Sequence, residues 1–296
     1  MQPRHFMSVV LAATLWGFGG VAGTLLGDHA GLHALSIAMW RMLVAGIALL
    51  AYLAVRRSLR WRTLTPRMRR RALATGALTA LFEALFFSGI AQASVGLSTL
   101  IGIGSAPVFV AAYDWWSTRR RPERPALVAL ALALAGLALL MGGSLDTGRN
   151  GMLGGALALA AGASFAAISV INRTEVPGFG PVEHTALAFT AGGLMLVPVA
   201  ALAGIGAADD AYGWALTLAM GVLITALAYV SYLRGLRSVP PFVATIVTLL
   251  EPLVAAILAA MVLGERLGWV GVLGGVALGS AVVLLRPQRD EPSVLH

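Results

Sequence analysis

Residues 73–113 read LATGALTALFEALFFSGIAQASVGLSTLIGIGSAPVFVAAY, and the one charged side chain among them is Glu83. A helix climbs ~1.5 Å per residue, so about 20 apolar residues cross a ~30 Å hydrocarbon core. The stretch holds two such crossings, at 73–91 and 95–113, parted by a short polar break. Working outward, apolar runs recur at 6–26, 32–55, 126–141, 151–171, 184–204, 211–233, 241–263 and 268–285. A spanning sheet would have to close on itself, and no ten-residue in/out alternation is present. The sequence therefore predicts an all-α integral membrane protein with ten transmembrane helices.

Composition agrees. Of 296 residues, 58% are hydrophobic and 11% charged, with a mean hydropathy of +0.85; a soluble domain is roughly a quarter charged. That excludes a soluble enzyme, a disordered chain and a secreted disulfide scaffold. Cysteine is absent, which removes thiolate zinc sites and iron–sulfur clusters.

All 21 basic residues are arginine, giving a net charge of +8. They do not form one nucleic-acid-binding patch but sit between the apolar runs. With the N-terminus cytoplasmic, 18 of the 21 fall inside: Arg4, the cluster Arg56 to Arg71, Arg119 to Arg124, Arg173, Arg234, Arg237, Arg286 and Arg289. Arg149 and Arg266 fall outside and Arg41 within a span. This asymmetry predicts a multi-pass protein of the inner (plasma) membrane with both termini cytoplasmic. The start also reads as a signal peptide, but cleavage would leave nine spans and break the repeat described next, so an uncleaved first helix is expected.

Halving the chain near residue 150 gives five spans on each side. Ser98-Thr99 through Ala106-Pro107 aligns with Ala244-Thr245 through Glu251-Pro252, Phe87-Ser88-Gly89 with Tyr232 to Gly235, and Leu15-Trp16-Gly17 with Ser164-Phe165-Ala166. Five is odd, so the halves must be inverted in the membrane. The expected units are 1–147, 148–286 and a cytoplasmic tail, 287–296. Inverted repeats suit alternating access around a midplane site. Pro107 and Pro252, in matched spans, are candidate hinges or simply prolines of the kind common in membrane helices.

These residues resemble the EamA branch of the drug/metabolite transporter superfamily. The resemblance rests on Leu15-Trp16-Gly17, Trp40-Arg41, Leu250-Glu251-Pro252-Leu253, the run Leu263-Gly264-Glu265-Arg266-Leu267, and Gly274-Gly275-Val276 with Gly279. It covers nearly the whole chain and implies two inverted five-helix repeats that move small organic metabolites, with many relatives exporting amino acids or toxic compounds. The first half departs from the pattern: Asp114-Trp115-Trp116 and Arg119 to Arg121 stand where the Gly-Glu-Arg-Leu turn would recur.

Three ionisable residues lie inside spans: Arg41, Glu83 and Glu251. A charge at a helix centre costs at least ~2.5–3.5 kcal/mol, so each must face a partner or a wet space. Glu83 is suited to bind a substrate amine, carry a coupling proton, or pair with Arg41 to fix packing. Tyr229 lies at the corresponding place in the second half, so the expected site is flanked by Glu83 and Tyr229. Glu251 either accepts hydrogen bonds from backbone freed by Pro252 or binds substrate or proton, and Arg41 reads as a gating or packing residue or else as a clamp for a substrate carboxylate. Trp16 and Phe87 are candidate cavity walls, and Gln92, Thr99, Ser105, Ser164 and Thr245 candidate hydrogen-bonding groups. Serine and threonine also bond helix to helix.

No catalytic constellation is visible. His29 and His33 follow Asp28 in an expected external loop, no histidine falls in mid-span, and no cofactor or metal is expected. The sequence thus predicts a transporter, monomer or homodimer, exporting a small metabolite such as an amino acid, with coupling to protons left open. The alternatives are a lipid-carrier flippase and an integral-membrane enzyme acting on a lipid or isoprenoid.

Overall fold

The computed structural model describes residues 1–58, 64–119, 121–142, 145, 147–263 and 268–287. Ten helices follow one another: α1 Pro3–Ala30, α2 Ala34–Val55, α3 Pro66–Gln92, α4 Val95–Thr118, α5 Arg124–Met141, α6 Gly151–Ile171, α7 Pro181–Leu202, α8 Ala211–Gly235, α9 Pro241–Val262 and α10 Trp269–Leu284. Among the described residues nine are long and apolar enough to cross a membrane, and α10 is a shorter apolar helix. The Gly264–Leu267 turn, Asp146 and residues 288–296 of the expected tail lie outside the described residues.

Helix starts follow a simple rule. The odd-numbered helices α1, α3, α5, α7 and α9 each carry proline in their first two positions. There the missing N–H has no intrahelical partner to lose. Four of the even-numbered helices begin instead on a side-chain cap: His33, Ser94, Asn150 and Asp210 accept from Leu35, Leu97, Leu153 and Gly213. Asp210 also lies 2.9 Å from His29 Nε2. The Gly213 amide and His29 together hold its carboxyl below the ordinary aspartate range.

Helices start well outside the apolar runs where polar turns suit them. α3 begins at Pro66 rather than Leu73, because Thr65 caps it and the arginine-rich first turns remain helical outside the apolar layer.

Two close approaches show the duplication. A Cβ built on Gly89 of α3 would meet Gly154 O of α6 at 3.1 Å and Ala158 N at 3.4 Å; one on Gly235 of α8 would meet His5 O of α1 at 3.0 Å and Val9 N at 3.3 Å. Likewise a Cβ on Gly76 of α3 would run into the Ala188 carbonyl of α7, and one on Gly221 of α8 would meet the Arg41 carbonyl of α2 at 3.2 Å. The helices of one half thus repeat the contacts of the other. Because consecutive spans alternate direction, a repeat of five is inverted. α5 crosses α10 where a Cβ built on Gly136 would meet Gly274 O at 2.7 Å and one built on Gly274 would meet Gly136 O at 2.5 Å.

The second half is less regular than the first. α8 contains a π-helical segment, Met220–Leu227, of the kind that inserts one residue into a helix. The matched glycines register that insertion: Gly76 and Gly221 are 145 positions apart, Gly89 and Gly235 are 146. α9 breaks at Thr248–Leu249, just before Pro252, and ends in a second π-helical turn at Ala259–Leu263. α4 runs unbroken through Pro107, so the two matched prolines do not produce matched bends.

Gly76→Leu should overpack backbone that cannot retreat, at a cost of roughly 1–3 kcal/mol. Its melting temperature in detergent should fall well below wild type, while Gly279→Ala, which meets nothing within 4 Å, should melt as wild type does. Equal melting of all three proteins would dismiss backbone contact as the support of the α3–α7 crossing.

Candidate functional site

The site begins with Arg41 on α2 and Glu83 on α3, joined by a hydrogen-bonded ion pair from Arg41 Nη2 to Glu83 Oε1. At ~1.5 Å per residue, Arg41 lies about 10 Å from the start of α2 and Glu83 about 13 Å from the end of α3. Those two ends share one membrane face, since consecutive spans alternate. The pair is therefore well inside the bilayer. Glu83 is 2% exposed, whereas the Arg41 side chain keeps 17%.

The pair satisfies only part of its own chemistry. Arg41 Nε, Glu83 Oε2 and Trp16 Nε1 are buried and have no hydrogen-bond partner among the described residues. Two donors and one acceptor are thus left unanswered where an unmade hydrogen bond is expensive.

Around the pair lies an aromatic cluster drawn from both halves. Trp16 of α1 stands 4.9 Å from Tyr229, 5.3 Å from Tyr232 and 5.9 Å from Phe165 between ring centroids. Phe165 stacks on Tyr232 at 5.6 Å, and Phe189 closes on Tyr229 at 4.5 Å. The Tyr232 hydroxyl is engaged with Ser169 Oγ at 2.7 Å. Glu251 of α9, half-buried, lies within electrostatic reach of Arg41, Glu83 and Tyr229.

Packing explains why these groups meet. The close approach of α8 to the Arg41 carbonyl at Gly221 places Tyr229 about two turns farther along α8. By the same contacts Ala188 answers Arg41, and past the inserted residue Tyr229 answers Glu83. The charged pair of the first half thus has an uncharged counterpart in the second.

Of the expected residues, the structure gathers Arg41, Glu83, Glu251, Tyr229 and Trp16. Phe87 stands at the end of a row of rings through Phe86 and Phe82 to Phe165. Gln92 ends α3, where its carbonyl accepts from Asn150 N, about 13 Å along the helix from Glu83. Ser105, Ser164 and Thr245 each donate to a carbonyl of their own helix, at Gly102, Ala160 and Pro241. Ser105 Oγ also abuts Gly162 on α6. These hydroxyls are occupied in helix geometry. Thr99 is buried in α4. Pro252 is buried just past the α9 break, and Pro107 is buried inside a continuous helix.

Sequence reading passed over Tyr232 and Phe189 as site residues and took Phe165 only as the repeat partner of Trp16. Tyr232 was detectable as the residue one turn after Tyr229. Phe189 was not, because its place in the ring cluster follows from the α7–α8 packing.

The pattern of the EamA-like transporter family matches residues 5–142 and again 152–286. The chain is 29% identical over 290 residues to the uncharacterized transporter YwfM of Bacillus subtilis, covering 97% of this chain and 96% of that one. It is 26% identical to the uncharacterized inner membrane transporter YicL of Salmonella typhimurium, with 95% of both chains covered. The threonine/homoserine exporter RhtA of Salmonella typhimurium is 27% identical over 218 residues, 71% of this chain and 69% of that one. A solved crystal structure shares the fold at a TM-score of 0.78 and 14% identity, over 96% of each chain. With two copies of the family pattern covering nearly all of its length, this chain belongs to the EamA-like transporter family, whose members are membrane transporters and not enzymes.

Proposed function

We propose that this transporter exports a small amphipathic metabolite, an amino acid or a close analogue, from the cytoplasm across the inner membrane. Both termini face the cytoplasm in this reading, as the arginine distribution implies. Substrate reaches the centre between the inverted halves, and their rocking opens the other side. The observation that carries the reading is the buried Arg41–Glu83 pair with its unanswered donors and acceptor beside an aromatic cluster. An amino acid carries the same two charges: its carboxylate suits Arg41 and Trp16 Nε1, its ammonium suits Glu83, and its side chain suits the rings. The similarity to a threonine/homoserine exporter supports the same substrate class.

Removing one partner of a buried pair costs about 3–5 kcal/mol, while replacing both by apolar groups is often neutral. The informative variant is therefore the double substitution Arg41→Met/Glu83→Leu. It should yield folded protein in normal amount and lose amino-acid flux in proteoliposomes by at least about tenfold. Wild-type flux from the double variant would reduce the pair to a packing device.

Coupling is the second part of the proposal. One arginine faces two glutamates, so an empty site carrying all three charges would be one negative charge out of balance. A proton held at Glu251 restores neutrality, and its release to one side accompanies substrate movement in the other direction. Arg41 on α2, Glu83 on α3 and Tyr229 on α8 lie within electrostatic reach of Glu251, and the helices packed against α9, which are α1, α4, α5, α6 and α10, carry titratable groups only toward their ends among the described residues. An imposed pH gradient should drive uphill substrate movement in wild type. Glu251→Gln should lose that response while keeping downhill flux. Uphill movement that ignores the gradient in wild type would mean facilitated diffusion.

A further inference from the structure

Arg67, Arg70, Arg71 and Ala74 follow the i, i+3, i+4, i+7 spacing of a single helix face at the start of α3. With 27 residues, α3 is ~40 Å long, roughly 10 Å more than the hydrocarbon core. Its first turns therefore stand in the headgroup layer. Together with Thr65, Pro66 and Ile171 at the end of α6, this face lines a groove of about 760 Å³.

The groove is cationic at its mouth and apolar at its floor. Arg67 and Arg70 are exposed. Arg71 is half-buried and fixed, its Nη1 donating to Thr174 O at 2.9 Å. Arg67 and Arg71, one turn apart, repel each other. Among the described residues no acidic side chain pairs with any of the three. Two acids on this side of the protein are already engaged, Glu175 with Arg237 at 2.9 Å and Asp114 with Arg173 at 3.1 Å. Deeper along the groove, Ala74 and Ile171 are apolar, and Leu73 beside them is 49% exposed.

We propose that this groove binds an anionic phospholipid. Its phosphate sits among Arg67, Arg70 and Arg71, and one acyl chain lies along Ala74 and Ile171. Three clustered cations without counter-ions call for an anion, and the apolar floor calls for a hydrocarbon chain attached to it. A free phosphate would use the first feature and leave the second empty. The ligand would also bridge the protein's halves, since α3 belongs to the first and α6 with Thr174 to the second. The site is independent of what the transporter carries and of which acid is coupled.

The test uses the purified full-length protein in neutral detergent, with phosphatidylglycerol, phosphatidylcholine or inorganic phosphate added. Phosphatidylglycerol should raise the melting temperature of wild type, whereas phosphatidylcholine and inorganic phosphate should leave it unchanged. Arg67→Gln/Arg70→Gln should melt like wild type without the anionic lipid and bind phosphatidylglycerol roughly tenfold or more weakly. Arg67→Lys/Arg70→Lys should keep most of the rise, because the charge is preserved. The proposal is overturned if the glutamine variant keeps the full rise, if phosphatidylcholine gives an equal one, or if inorganic phosphate reproduces it.

Discussion

Hydrocarbon supplies neither water nor counter-ions, so every polar group placed in it must be answered from within the protein. For the backbone the answer is helix, and for the first half's two buried charges it is each other. The contact between Arg41 and Glu83 spans two different helices, so it requires that α2 and α3 be held at a fixed depth and rotation. Glycines provide much of that constraint. Gly76 lets α3 lie against the α7 backbone, and Gly221 lets α8 lie against the α2 backbone at Arg41 itself. A side chain at either glycine would push apart the helices that bring the ion pair and its aromatic neighbours together. In a membrane, where apolar burial between helices gains little over contact with lipid, such backbone-to-backbone approach is a main source of packing energy.

The two halves share a scaffold and differ in chemistry. Where the first half has Arg41 and Glu83, the second has Ala188 and Tyr229, so duplication of the helices did not duplicate the charges. The extra residue in the π-helical part of α8 contributes to this difference. Without it, the helix beyond Leu227 would be turned by about one residue, near 100°, and Tyr229 would leave the face that meets Trp16 and Phe189. The proline of α9 is accompanied by a break and that of α4 is not, which gives the second half a joint that the first lacks.

The ten helices were legible because lipid imposes a length and a composition on each, and both are properties of consecutive residues. The inverted duplication was legible too, through the alignments of Trp16 with Phe165 and Gly89 with Gly235. The buried ionisable residues stood out for the same physical reason: a charge within an apolar run is costly enough to be rare. Hydroxyl groups were another matter. Ser105, Ser164 and Thr245 look like ligands in sequence, yet in a helix each can bond the carbonyl one turn back, and all three do. Helical direction decided the others: Gln92 lies on the same helix as Glu83 but at its far end. The site role of Phe189 depended on which helices pack together, which no local pattern encodes.

The division of the central residues between the halves bears on how such a site can change. Arg41, Glu83 and Trp16 all come from the first half, whereas Phe165, Phe189, Tyr229, Tyr232 and Glu251 come from the second. The helices that carry the ion pair nevertheless pack on the second half, α2 on α7 and α8 and α3 on α6 and α7, so a movement between the halves would have to loosen the contacts that set its register. Breaking the pair would demand several kcal/mol inside the membrane, because it would leave a lone buried charge. Glu251, on α9 of the second half, lies within electrostatic reach of both members of the pair. The charge at the centre is thus shared between the halves, the ion pair coming from the first and the third ionisable group from the second.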